Sequence, residues 1–121
     1  MNLVVLTGRV GNISELRQGK EPRRIKFLTL SISTQEIFRG GKEQTTWHKI
    51  MVFGSPAEFV SKYLKNGDQI NVLGKLQYRQ WKDDDGIDRK LTEIVAKKVW
   101  LIARPKKNQE EDTEEEEAEE F

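Results

Sequence analysis

Trp47, Lys49 and Phe53 stand at alternate positions of residues 44–53 (QTTWHKIMVF). If this segment is extended, its side chains alternate between two faces. Thr45, Trp47, Lys49, Met51 and Phe53 then share one face, and Thr46, His48, Ile50 and Val52 share the other. Ile50 and Val52 suit a core. The first face does not, because burying the Lys49 ammonium would strip its hydration. That face suits a single strand of nucleic acid. Bases stack on aromatic rings for about 1–3 kcal/mol each, and a neighbouring cation meets the phosphates. Every base has a π-face, so such a surface would not read sequence.

Trp81 repeats the theme. It sits in Tyr78-Arg79-Gln80-Trp81-Lys82, ahead of the acidic turn Asp83-Asp84-Asp85-Gly86, with Arg89 and Lys90 on the return. This pattern predicts a long hairpin arm with an aromatic near its tip and four cations. Phe38-Arg39 beside Gly40-Gly41-Lys42 predicts a second arm of similar make. The competing reading is that Trp47, Phe53 and Trp81 fill the core or an interface between subunits. Three aromatic–cation pairings on adjacent elements favour the nucleic acid.

Other chemistries are poorly supplied. Asp83, Asp84 and Asp85 are hard ligands of the kind Ca²⁺ or Mg²⁺ takes, but three successive residues of a turn point in different directions. His48 with Ser55 or Glu58 has no third orienting group and no oxyanion hole. The chain has no Cys and one His, which removes disulfides, thiolate nucleophiles and Cys- or His-rich metal sites. We expect no catalytic residue, no metal and no cofactor.

The elements that must carry these residues fit one domain of 121 residues. Strands are predicted over residues 3–10, 25–34, 44–53, 69–82 and 88–103. Leu28, Leu30 and Ile32 share one face of the second. Gly40-Gly41 and Asp85-Gly86 supply hairpin turns. One helix is predicted after the third strand. Ser55 is its expected N-cap, Pro56 its first residue and Glu58 the partner in a capping box, with Phe59, Val60, Tyr63 and Leu64 as its core stripe and Asn66-Gly67 as its end. Five strands with a helix between strands 3 and 4 describe an all-β, five-stranded OB-fold barrel.

Charge is divided along the chain. All 21 Lys and Arg lie in residues 1–107 with 11 acids, a balance of 21 − 11 = +10, and the other nine acids lie in 110–120. Such a run repels itself and is expected to be disordered, although the chain ends on Phe121. The expected division is a barrel over 1–103 and an acidic tail over 104–121. No apolar run approaches the roughly 20 residues that span a bilayer, and no signal peptide is read at the start. The expectation is a soluble cytoplasmic protein.

The chain resembles the bacterial single-stranded DNA-binding protein family from Asn2 to about Ile102. The resemblance rests on Gly8-Arg9-Val10-Gly11, with Glu15-Leu16-Arg17 following, and on the unbroken run from Thr45 to Gly54 (TTWHKIMVFG). It rests also on Tyr63-Leu64-Lys65-Asn66-Gly67-Asp68, Gly74-Lys75-Leu76, Trp81, and Asp85-Gly86 leading to Thr92-Glu93-Ile94-Val95. It implies an OB-fold homotetramer that wraps single-stranded DNA without catalysis, associates with the nucleoid, and serves replication, recombination and repair. The family's stacking aromatics fall on Trp47, Phe53 and Trp81, and its first Trp falls on Phe38. Lys49 and Arg79 fall on phosphate-contacting positions, while His48 falls near a subunit interface. Lys42, Lys82 and Arg89 complete the candidate DNA-binding set.

This chain departs from the family in several places. Phe38 replaces a Trp, Gln80 and Ser55 stand where Lys is common, and Leu3 replaces an N-terminal Lys. Fewer cations should flatten the salt dependence of binding, by about 0.7 in the slope of log K for each phosphate left unneutralised. The family's long linker is almost absent, and the tip reads Glu117-Ala118-Glu119-Glu120-Phe121 without a Pro before the Phe. Glu119, Glu120 and Phe121 remain the candidate partner-binding residues, the ring entering an apolar pocket and the carboxylates meeting a basic rim. Two alternatives stay open. One is a dimeric OB-fold replication-restart factor of the primosomal kind, which should lack a dense stacking set. The other is a protein-interaction module working through the tail alone.

Overall fold

Apolar residues at every second position of residues 28–32 point to one side, and Leu28, Leu30 and Ile32 are all buried. The computed structural model describes residues 1–106 and carries this alternation through five long strands. These are β1 (Val4–Ile13), β3 (Lys26–Ile37), β4 (Glu43–Phe53), β5 (Gln69–Lys82) and β6 (Asp88–Ala103), with a two-residue β2 (Arg17–Gln18) before β3. β1 pairs with β5, β5 with β6, β4 with β3, and β3 returns to β1, all antiparallel, while β4 and β6 run parallel. The ring closes, as the expected barrel requires. Its interior is filled by Ile32, Ile50, Val52, Ile70 and Val72, each with no exposed surface.

The helix α1 (Ser55–Tyr63) lies between the third and fourth long strands. Its cap differs from expectation. Gly54, at φ 71°, is the N-cap, and its carbonyl accepts from the amides of Ala57 at 3.0 Å and Glu58 at 3.2 Å. The Ser55 side chain caps nothing, because Gly54 already turns the chain through a conformation closed to Ser. Glu58 instead meets Lys26 at 2.9 Å. The inward stripe is Ala57, Val60 and Leu64, all buried. Tyr63 was expected there but lies beside the stripe, half exposed, with its ring 5.5 Å from that of Phe59.

Two further departures concern the first strands. β1 is expected to end at residue 10 but runs on to Ile13, with a shift of register against β3 between Val10 and Ile13. β2 was not expected at all. Its two residues pair with Lys26 and Phe27 and add an edge to β3. The hairpin turns are where the glycines placed them: Gly40, Gly41 and Gly86 have φ of 89°, 79° and 76°.

Beyond β6 the chain is pinned. Arg104 donates to both carboxylate oxygens of the fully buried Asp68, at 3.2 and 3.1 Å, and to the Tyr63 carbonyl at 2.6 Å. The acidic run and the candidate residues Glu119, Glu120 and Phe121 lie outside the described residues.

Candidate nucleic-acid interface

The register of β3 and β4 sets Ser33 opposite Trp47, Ser31 opposite Lys49, Thr29 opposite Met51 and Phe27 opposite Phe53. These are outward positions, since Leu28, Leu30, Ile50 and Val52 between them are buried. Small hydroxyl residues beside Trp47 and Lys49 leave the indole and the ammonium standing clear. Trp47 is 62% exposed, which rules out the reading in which it fills the monomer's core.

Trp47 does not stand without support. A Cβ built on Gly11 would lie 2.5 Å from Cζ3 of the indole and 2.9 Å from the Ser31 hydroxyl. The six-membered ring therefore rests on the bare backbone of β1, which any larger residue would lift. This explains why the position is held by a Gly. The strand predicted over residues 3–10 stops short of this Gly, because the packing that demands it joins residues 36 positions apart.

Phe53 is partly exposed and tilted by 35° against Phe27, their centroids 6.1 Å apart. Phe27 was not among the candidate residues. Its outward alternation with Leu28 could have marked it, but only the β3–β4 register shows that it flanks Phe53.

The face continues through Met51 to Val95 of β6, and on to Lys75 of β5. Alternation along these strands then brings Glu93, Arg79, Leu91, Trp81 and Arg89 to the same side, in the arm where β5 and β6 run beyond the barrel. Gln77 opposes Glu93, Arg79 opposes Leu91, and Trp81 opposes Arg89. The Trp81 ring is 44% exposed, and the Arg79 guanidinium lies over it at 5.3 Å. A groove of about 430 Å³ lies beside it, lined by Gln80, Trp81, Lys82, Asp88, Arg89 and Lys90.

Both arginines of this arm are tied to carboxylates. Arg79 Nη2 is 2.9 Å from Glu93 Oε1, and Glu93 is almost wholly buried. That oxygen receives no aligned hydrogen bond, so the contact is a charge pair made by proximity. Arg89 donates from Nε to Asp83 at 2.9 Å. The other oxygen of Asp83 accepts from the amides of Ile87 and Asp85, at 2.9 and 3.0 Å. Those bonds, the Ile87 amide first and the Arg89 guanidinium next, hold the Asp83 carboxyl below its usual pKa. The acidic turn therefore organises its own hairpin. Among the described residues no group of three or more His, Cys, Asp or Glu could hold a metal ion.

The remaining candidates scatter more. Lys82 alternates to the side of the arm opposite Trp81, as do Tyr78 and Gln80, and Lys90 lies over the Tyr78 ring at 4.5 Å. Phe38 and Lys42 meet at the other hairpin, where the Phe38 amide donates to the Lys42 carbonyl at 2.8 Å and the ring is half exposed. His48 lies half-buried, with its Nε2 2.8 Å from the Thr34 hydroxyl. Among the described residues no helix is long and apolar enough to cross a membrane.

Comparison with known proteins agrees with this architecture. The model of the single-strand binding protein family matches residues 1–102. A Plasmodium falciparum SSB in complex with single-stranded DNA superposes with a TM-score of 0.74 at 26% identity, covering 85% of this chain and 96% of its own. A deletion mutant of the single-stranded DNA-binding protein from Thermus aquaticus superposes at 0.70 with 25% identity, covering 85% of this chain and 51% of its own. With the closed barrel, the plugging helix and the outward rings in place, the match over residues 1–102 establishes that the chain belongs to the single-strand binding protein family.

Proposed function

We propose that the barrel binds single-stranded DNA without reading its sequence, and does no chemistry on it. The observation that carries this is one continuous outer face bearing Trp47, Lys49, Phe53, Arg79, Trp81 and Arg89, with rings 41–62% exposed. Flat rings accept any base, and cations between them accept the phosphates. Phe38, Lys42 and Lys82 extend the set on the arms. Such a coat protects the strand during replication, recombination and repair.

Assembly as a homotetramer belongs to the same proposal. Val5 and Trp100, 63% and 45% exposed, stand on the outer side of the β1–β5–β6 sheet, an apolar surface suited to another copy. The tail is proposed to recruit replication and repair proteins through Glu119, Glu120 and Phe121.

Titration of tryptophan emission with oligo-dT at two salt concentrations tests the reading. Trp100 sits on the sheet away from the proposed track, so variants that keep Trp47 or Trp81 as the sole tryptophan make the signal specific. Strong quenching is expected in both, and Trp47→Ala or Trp81→Ala should each weaken binding by about 1–3 kcal/mol. Undiminished binding in both would assign the rings to packing. Deleting residues 110–121 should leave or raise DNA affinity at low salt, because a tethered polyanion competes at high effective concentration. It should also abolish partner capture, and partners that still bind the truncated chain would refute the recruiting role.

A further inference from the structure

The outer row that begins at Phe53 does not end at Phe27. Phe53 pairs across to Phe27, and Phe27 pairs across to Arg17 of β2. An aromatic couple is thus continued by a cation at the sheet's edge, the combination already found on β4. Beyond Arg17 the chain turns through a hairpin closed by the Gly19 amide on the Ile25 carbonyl at 2.8 Å and by Gln18 Nε2 on the Arg24 carbonyl at 3.3 Å.

This edge is basic. Residues 17–26 hold Arg17, Lys20, Arg23, Arg24 and Lys26 against the single acid Glu21. Glu21 is occupied by Arg24, and Lys26 by Glu58 of α1. Among the described residues Arg17, Lys20 and Arg23 meet no carboxylate, and all three are exposed. On the arm, by contrast, Arg79 and Arg89 are both paired.

We propose that this edge is a further section of the strand-binding track, one base stacking on the Phe27–Phe53 couple and the next phosphates passing to Arg17, Lys20 and Arg23. The proposal rests on single-stranded DNA being the ligand of the main face. The chain's own acidic tail is the other polyanion at hand, but carboxylates have no use for a ring pair in line with the cations. The ring pair decides for DNA.

The test is a binding series on the full chain with oligo-dT of about 5 and about 16 nucleotides, spanning the range one such barrel covers. With the long oligonucleotide, R17Q/K20Q/R23Q should flatten the slope of log K against log salt by about 2, three phosphates at about 0.7 each. Phe27→Leu keeps an apolar side chain but removes the ring, and should cost at least about fivefold on the long oligonucleotide. With the short one, which is satisfied by the track around Trp47 and Trp81, the triple variant should bind as the parent does. Circular dichroism on each variant separates lost contacts from lost fold. Equal loss by the triple variant at both lengths would mean a diffuse field, and no loss at either would mean an idle edge. Tighter binding at low salt would point to the tail as the occupant. Each of these three results overturns the proposal. A parent chain that binds neither oligonucleotide would instead refute the reading of the main face.

Discussion

Replacing Glu93 with Gln should make DNA binding tighter at low salt and more sensitive to salt. Arg79 Nη2 sits 2.9 Å from a carboxylate that is only 5% exposed, while Arg79 itself is 55% exposed. The guanidinium therefore reaches solvent with much of its charge cancelled from beneath. Removing the carboxylate charge frees one cation for a phosphate. That adds about 0.7 to the magnitude of the salt slope. Over a fourfold change in salt, such as 50 to 200 mM, the loss of affinity becomes about 10^(0.7 × 0.6), or roughly 2.6 times, larger than in the parent. Folding should suffer little, by about 1 kcal/mol, because Glu93 Oε1 receives no aligned donor and the half-exposed guanidinium can turn to water. Lys49 has no carboxylate partner among the described residues, so Lys49→Gln should flatten the slope by the same amount. The assay is fluorescence titration with oligo-dT at four or more salt concentrations. If Glu93→Gln binds more weakly at every salt with an unchanged slope, Glu93 serves to hold Arg79 over Trp81, and the cancellation argument is wrong.

Three further outcomes follow from the geometry. Gly11→Ala should lift the Trp47 ring through a Cβ placed 2.5 Å from Cζ3, weakening oligo-dT binding severalfold while circular dichroism stays that of the barrel; unchanged affinity would show that the ring has no fixed seat. The Asp83 carboxyl titrates below its usual value of about 4, so its ionised form supports the arm's turn at all higher pH, and that support is lost only as pH falls through the lowered value. Hydrogen exchange at the Asp85 and Ile87 amides, corrected for intrinsic rates, should stay constant from pH 7 to 5 and rise only below about pH 4; a rise between pH 6 and 5 would contradict this. Arg104→Leu leaves the fully buried Asp68 without its guanidinium and should cost roughly 3–5 kcal/mol in urea unfolding, whereas a loss below 1 kcal/mol would mean that Asp68 is satisfied by its other partners, the Lys65 amide among them.

Most of the barrel was legible because its signals are local. The alternation that buries Ile50 and Val52 exposes Trp47 and Phe53 by the same rule, and glycines at 40, 41 and 86 mark turns that few other residues could make. The misreadings share a different cause. Ser55 looked like a cap because its neighbours fit the motif, but the preceding Gly54 was free to take the turn first. The predicted first strand stops short of Gly11 because the indole this Gly accommodates comes from β4, three elements later. Phe27, Glu93 and Arg17 were missed because each matters through its cross-strand partner, and register is a property of the assembled sheet. Asp83 was read correctly as a turn residue, yet nothing in the spacing showed that its second oxygen would hold Arg89.

The carboxylates on the arm bear on how the face could work without selecting sequence. An arginine with nothing to hold it samples many rotamers and loses that freedom when a strand arrives, a loss that counts against binding. Arg79 and Arg89 are already ordered, by Glu93 and Asp83 respectively, and Arg79 lies against Trp81 before any base does. The arm thus gives up net charge and keeps a rigid ring-and-guanidinium surface, whose attraction for a base depends little on salt. Lys49 on β4 and the edge cations keep their full charge and should carry most of the salt dependence. The division follows from the fold: β5 and β6 leave the barrel together as a two-stranded ribbon, which needs internal ion pairs and ring contacts to keep its shape, whereas β4 is paired with β3 along its length and with β6 over residues 50–52, next to Lys49, and can leave that lysine unpaired.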